Sequence, residues 1–234
     1  MRIDLLTLFP AQCRAALEGG VVGRAVDSGE VRCVLTDLRH FAGDRHGTMD
    51  DTPYGGGAGM VLRPEPAVAA IESVRIGKSP VVLTSPAGRR FDQEQADRWA
   101  EHLSDGGQLI LLCGRYKGFD ERVRELVVTD EISIGDYVLS GGELAALVVL
   151  DAVVRRIDGV LGQRESADTD SFGPARQGQL DCGWYTRPDE LRGLRVPEDL
   201  LSGDHARIER WRQRSSAERT RKWRPDLLTE ETPD

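Results

Sequence analysis

No two cysteines of this chain stand at the spacing of a zinc site or a redox motif. Cys13, Cys33, Cys113 and Cys182 are far apart, which points to a reducing, cytoplasmic setting. His40, His46, His102 and His205 form no ligand cluster, although His40 and His46 share one segment. Long apolar runs are also missing: Leu144 to Val154, the longest, is interrupted by Asp151, and the opening MRIDLLTLFP is too short and too acidic for a signal peptide. No membrane association is expected. Leu8-Phe9-Pro10 follows the first expected strand where a dinucleotide fold would carry its glycines. YGGGAGM, at Tyr54 to Met60, has glycines able to cradle a phosphate but lacks the Lys and Ser/Thr of a P-loop. These absences argue against an ordinary dinucleotide site and a P-loop nucleotide site.

What is present is enough for one good core and a small second unit: 234 residues, 39% hydrophobic and 30% charged. The net charge of −8 hides an uneven distribution. Between His205 and Arg224 stand eight basic residues, among them Arg207, Arg210, Arg214 and Arg221, against Glu209 and Glu218 alone. The tail is therefore a basic module on an otherwise acidic chain.

Strand and helix patterns alternate along the first two thirds. Ile3–Leu8, Val31–Leu38 and Pro80–Thr84 read as strands, Pro64–Ile71 as the start of a helix, and Asp92 with Gln95 as a capping box for a helix reaching about Leu103. The segment from Arg39 to Met60 holds too many glycines for a regular element, and loops of that length in compact domains are usually functional or disordered. This alternation predicts an α/β fold, a mostly parallel sheet with helices on both faces. After Arg156 the chain turns glycine-rich, polar and acidic, and the expected organisation is an α/β domain over 1–160, a joining segment over 161–178 and a small helical domain over 179–234. Pro197–Leu201 and Asp204 to about Lys222 read as its helices, with Trp211 and Trp223 packing into its core.

The stretch from Gly107 to Arg156 concentrates the glycines and the apolar residues. Leu109–Cys113 reads as a strand buried on both faces. The loop Gly114–Gly118 follows it, and a second glycine-punctuated segment, Gly135–Gly142, leads into a helix from Glu143 to about Arg156 that is apolar nearly all round and so expected to be buried. Two such loops at strand ends either make turns and caps or let the backbone approach a ligand.

DDTPYGGGAGM at 50–60, CGRYKGFDERV at 113–123, SIGDYVLSGGE at 133–143, DGVLG at 158–162, DSF at 170–172, YTRP at 185–188 and LLSGDHARIERWR at 200–212 together resemble the TrmD family of bacterial tRNA (guanine-N1)-methyltransferases, which belong to the SPOUT class. The resemblance covers nearly the whole chain. It implies a deep trefoil knot in the α/β domain, a feature that composition does not reveal and that chains generally avoid. It further implies methyl transfer from S-adenosylmethionine to N1 of the guanosine at tRNA position 37, next to the anticodon, by a cytoplasmic homodimer whose active site lies at the subunit interface.

Carried over position by position, the resemblance assigns the methyl donor to Thr84, Ser85, Pro86, Gly114, Tyr116, Ile134, Gly135, Asp136, Tyr137, Val138, Leu139, Gly141 and Gly142. Substrate contact falls to His46, Asp50 and Gly59. N1 of guanine carries a proton at neutral pH and needs a base, and Asp170 matches the family's proposed one, with Asp168 its local competitor. An ordinary carboxylate of pKa about 3.9 is a weak base for that proton. Charge developing on O6 must then be stabilised, and Arg155 matches the family's arginine for this, a contribution of about 3 kcal/mol by analogy with one oxyanion donor. As residues alone, Asp170 reads as a solvated linker acid and Arg155 as a cation at a helix C-terminus. Two departures stand out: Ala58 where many relatives have Pro, and Lys117 where many have Glu. Magnesium supports catalysis in the family, and Lys117 puts a metal site there in question. Two other readings remain, a non-catalytic RNA-binding protein on the same fold and a metal-dependent phosphoesterase built on Asp44, His46, Asp50 and Asp51.

Overall fold

The computed structural model describes residues 1–161 and 168–228. The chain divides into two compact units, Met1–Gly162 and Gln163–Asp234.

The first unit is built on five strands: β1 (Arg2–Thr7), β2 (Arg32–Asp37), β5 (Val81–Arg90), β6 (Gln108–Cys113) and β7 (Asp130–Ser133). They pair in the order β2-β1-β6-β5-β7, every pair parallel. The central strand β6 is buried along its whole length, and its side chains alternate between the two faces. Leu109 and Leu111 join Ile3, Leu5 and residues of α1 (Pro10–Leu17), α2 (Gly20–Asp27), α4 (Gln93–Ser104) and α6 (Glu143–Val154). Ile110 and Leu112 join Leu6 and residues of α3 (Pro64–Val74) and α5 (Glu121–Leu126) on the other face. A central parallel sheet with both faces covered is thus the architecture of this unit. Truncating any of these buried β6 leucines to Ala should cost about 2–5 kcal/mol.

Local signals explain the element ends. Pro10 and Pro64 open α1 and α3, where a missing N–H costs nothing. Asp92 caps α4 by accepting from the Gln95 amide at 2.8 Å. The segment 39–60 is mostly irregular, broken by a 3-10 turn at Leu38–Phe41, and ends in a small antiparallel pair, β3 (Asp50–Asp51) with β4 (Val61–Leu62).

Three elements differ from the sequence expectation. β5 does not stop at Thr84; it shifts register between Thr84 and Arg89 and runs on beside β7. Gly88 permits this, since a Cβ there would stand 2.3 Å from the Ile132 amide nitrogen. The short helix α5 and strand β7 carry no strong pattern and were not expected. The helix α6 is not buried all round: Leu144 is 50% and Val148 49% exposed on one stripe.

The second unit contains the hairpin β8 (Glu190–Leu191) and β9 (Leu194–Arg195), the short helix α7 (Glu198–Leu201) and the long helix α8 (His205–Trp223). Asp204 caps α8, accepting from the Ala206 and Arg207 amides. The segment 180–183 is pinned along α8, where Leu180 N donates to Thr220 Oγ1 at 3.1 Å and Gly183 N to Ser215 Oγ at 3.0 Å. Residues 171–181 are tied in as well: the Asp181 amide donates to Ser171 Oγ at 2.9 Å, and Arg176 pairs with Asp181 at 3.0 Å. Of the expected joining segment, residues 162–167 lie outside the described residues. Trp211 is half-buried, but Trp223 is 63% exposed and not part of a core, because it stands at the last turn of α8 with Lys222 over its ring.

Candidate active site

The bulged part of β5, the loops that leave β6 and β7 at their carboxyl ends and the start of α6 enclose a cavity of about 270 Å³. Open parallel sheets hold ligands at this end, where adjacent loops separate. Thr84, Ser85 and Pro86 come from the bulged part of β5, Gly114 and Tyr116 from the loop after β6, and Ile134, Gly135, Tyr137, Val138, Leu139, Gly141 and Gly142 from the segment joining β7 to α6. All of these line the cavity. Asp136 does not, and it is exposed.

Gly142 is the point of closest approach. Its amide donates to the Gly114 carbonyl at 2.8 Å, and a Cβ on it would meet Thr84 Oγ1 at 2.2 Å. The buried Thr84 hydroxyl in turn lies 3.3 Å from the carbonyls of both Leu112 and Gly142. The segment before α6 therefore lies against the ends of β5 and β6. Arg115 secures it from the other side: its Nη2 pairs with the buried Glu143 at 3.0 Å, its Nη1 donates to the Ser140 carbonyl at 3.2 Å, and its guanidinium lies 4.2 Å from the Phe9 ring centroid. Glu143 also accepts from the Thr7 hydroxyl at 2.7 Å. Sequence reading missed both Arg115 and Glu143; a Glu inside an otherwise apolar helix start was the available signal.

The walls combine apolar surface with backbone groups. Tyr137, Val138 and Leu139 are exposed at the cavity. Of the basic residues lining the cavity, Arg115 is neutralised by Glu143, and Arg124 by Glu121 and Glu131. Lys117 forms no ion pair among the described residues. Its amide donates to the Met60 carbonyl at 3.0 Å, and its side chain lies against Gly59, 3.2 Å from where a Cβ would stand.

Gly59 thus borders the cavity wall. Asp50 sits half-buried in β3, and Leu62, its partner across the β3–β4 pair, donates to the Gly118 carbonyl at 2.9 Å, so the long segment is anchored to the cavity loop. His46 is exposed in a turn whose Asp44 Oδ1 accepts from the His46 and Thr48 amides at 2.8 and 3.1 Å. Those bonds, with the Thr48 hydroxyl foremost, hold the Asp44 carboxyl below its usual pKa. Asp44 therefore serves the turn, and among the described residues no three His, Cys, Asp or Glu side chains gather to hold a metal. Among the described residues no carboxylate side chain lines the cavity.

Arg155 is half-buried in the first unit as the C-cap of α6, its amide donating to the Asp151 carbonyl at 3.2 Å. Asp168 and Asp170 are half-buried in the second unit, where the Asp170 carbonyl accepts from the Gly173 amide at 3.0 Å. Within the second unit, α8 presents Arg207 and Arg214 paired to Asp199, and exposed Arg210 and Arg221.

A family model described as tRNA (Guanine-1)-methyltransferase TrmD matches residues 1–230. A curated tRNA (guanine-N(1)-)-methyltransferase of Anaeromyxobacter dehalogenans is 54% identical over 231 residues, 98% of this chain and 91% of the relative. Proteins of the same name from Dehalococcoides mccartyi and Geobacter sulfurreducens are each 52% identical, over 97% of this chain and 90% and 91% of their own lengths.

Proposed function

Since the chain belongs to the tRNA (guanine-1)-methyltransferase TrmD family, an S-adenosylmethionine-dependent enzyme family, we propose that it methylates N1 of the guanosine at tRNA position 37 with Asp170 as base and Arg155 on O6. The observation that carries this reading is the convergence of the β5 bulge and two loops on one glycine-lined cavity at the carboxyl edge of the sheet. An adenine and a sulfonium need burial and orientation, and this cavity supplies apolar side chains with backbone donors and acceptors. The residues present fit the methyl donor: the cofactor supplies an electrophilic methyl, and the chain's part is to bind it, exclude water and deprotonate the guanine.

Asp170 would take the N1 proton as the methyl arrives, and Arg155 would balance the negative charge building on O6. Lys117, Gly59, Asp50 and His46 would face the nucleoside, Lys117 at the border between the cofactor cavity and the long segment. A magnesium ion does not fit the described residues, since the cavity wall carries cations and no carboxylate.

The trefoil knot belongs to the same proposal, supported by the segment before α6 lying against the ends of β5 and β6 at Gly142. So does the division of labour, with 1–160 binding the cofactor, 161–178 joining and 179–234 binding tRNA through its basic helix. A homodimer is supported by the apolar stripe of Leu144 and Val148 on α6, which is half exposed among the described residues. The direct test is single-turnover methylation of a tRNA transcript followed by mapping of the modified nucleoside. Product at N1 of guanosine 37 is expected, and binding of S-adenosylmethionine without any methylated guanosine would overturn the reading.

A further inference from the structure

Trp184 is 64% exposed, yet it is held in place. Its indole N–H donates to Asp181 Oδ2 at 2.6 Å, Asp181 Oδ1 pairs with Arg176 at 3.0 Å, and the Arg212 guanidinium lies 5.0 Å from the indole centroid. The backbone beneath is fixed as well, by Gly183 N to Ser215 Oγ and by Arg219 Nε to the Asp181 carbonyl at 3.1 Å. The neighbouring Tyr185 is 52% exposed and meets Trp211 edge to face at 5.9 Å. A large aromatic side chain gains most from burial, so a rigid one left in water on a basic surface marks a place where something planar is to cover it.

We propose that Trp184, braced by Asp181 and backed by Arg212, is a stacking platform for an unpaired base of the bound RNA. The ingredients match the ligand: a π-face of fixed orientation, a guanidinium at the ring to strengthen stacking and attract phosphate, and basic residues along α8 to track the backbone. Bases inside a duplex offer no free face to such a ring, so the occupant is a base of a loop or a single-stranded end. This inference rests on the reading of the second unit as the tRNA-binding one.

The test compares Trp184→Ala and Trp184→Phe with the unaltered protein in tRNA binding over a series of salt concentrations. Trp184→Ala is expected to weaken binding about tenfold or more without changing the slope of log K against log salt, because stacking releases no counterions. Trp184→Phe should retain most of the affinity, and thermal melting of both variants controls for folding. Unchanged affinity in a folded Trp184→Ala variant overturns the platform, as does a loss that follows dissociation of a dimer in sedimentation, which would make a second copy the occupant. Arg210→Ala with Arg221→Ala separates the two claims. If that pair flattens the salt slope while Trp184→Ala is silent, only the platform falls; if neither alters binding, the second unit does not bind tRNA and the platform falls with it.

Discussion

Arg115 Nη2 and Glu143 Oε2 lie 3.0 Å apart, an ion pair that joins the loop after β6 to the start of α6. Glu143 is buried and also accepts from Thr7, so three segments meet on one carboxylate. Removing one partner leaves the other charge uncompensated, which costs far more than an exposed pair is worth. Glu143→Ala should therefore lower stability by about 3 kcal/mol, measured by denaturant unfolding. Glu143→Gln, which keeps the shape and an acceptor for Thr7, should cost less. Calorimetry should find cofactor affinity reduced in both, because Arg115 also holds the Ser140 carbonyl at the cavity rim.

Gly142→Ala and Gly114→Ala should behave differently although both glycines line the cavity. A Cβ at 142 would stand 2.2 Å from Thr84 Oγ1 and 3.0 Å from the Gly114 amide, so the segment must move away. At 114 the nearest atom is the Phe119 ring at 3.6 Å, an ordinary contact. Expected outcomes are a loss of S-adenosylmethionine affinity of about a hundredfold for Gly142→Ala, roughly 2.7 kcal/mol, and an unfolding midpoint close to the parent for Gly114→Ala.

Asp170→Asn should abolish methyl transfer while the cofactor still binds; a near-normal single-turnover rate would remove Asp170 from the mechanism. Arg155→Ala should slow the same step by about a hundredfold or more. A variant with unchanged chemistry and lower stability would leave Arg155 as a helix cap alone.

All four thiols are expected to be sluggish. Burial pushes Cys13 and Cys33 up to about 11, and raises Cys113 and Cys182 as well. A raised thiol stays protonated at neutral pH, and the nucleophile is the thiolate. Reaction with a chromogenic disulfide at pH 7.5 should be slow in the native protein and complete quickly in denaturant. A fast-reacting thiol in the native state would contradict the packing around these residues.

Asp120 caps α5 and pairs with Arg122, whose hydrogen bonds hold its carboxyl down at about 2. A lowered carboxyl stabilises the fold fully above its unfolded pKa, and the contribution disappears as pH falls through the lowered value. The gap in unfolding free energy between the parent and Asp120→Ala should be about 1 kcal/mol at pH 6. It should shrink between about pH 4 and pH 2. A gap that stays constant across that range would refute the assignment.

Elements with one strong physical signature were legible in the sequence. The apolar run of β6 and the capping pair Asp92/Gln95 gave a buried strand and a helix start close to where they stand. The sequence pattern ends the third strand at Thr84, and only the tertiary approach of Ile132 to Gly88 carries it on to Arg90. The six-residue α5 and the acidic β7 are too short for periodicity to register. For α6, composition showed an apolar helix but not which side would lack cover. The cavity-lining glycines were visible as glycines; that they face one another across two loops is a property of strand order, which no local pattern encodes. Trp184 went unremarked because nothing in CGWYTRP says which side chains stay in water.

The strand order also sets a schedule for synthesis. Arg2 pairs with Gln108, so β1 has only β2 as a neighbour until about a hundred further residues have left the ribosome. The segment that closes the cavity, 134–142, is made after every strand it rests on. A nascent chain stalled just after β6 would hold most of the sheet with no lid over it, and its unpaired β5 edge would be a point where aggregation competes with completion.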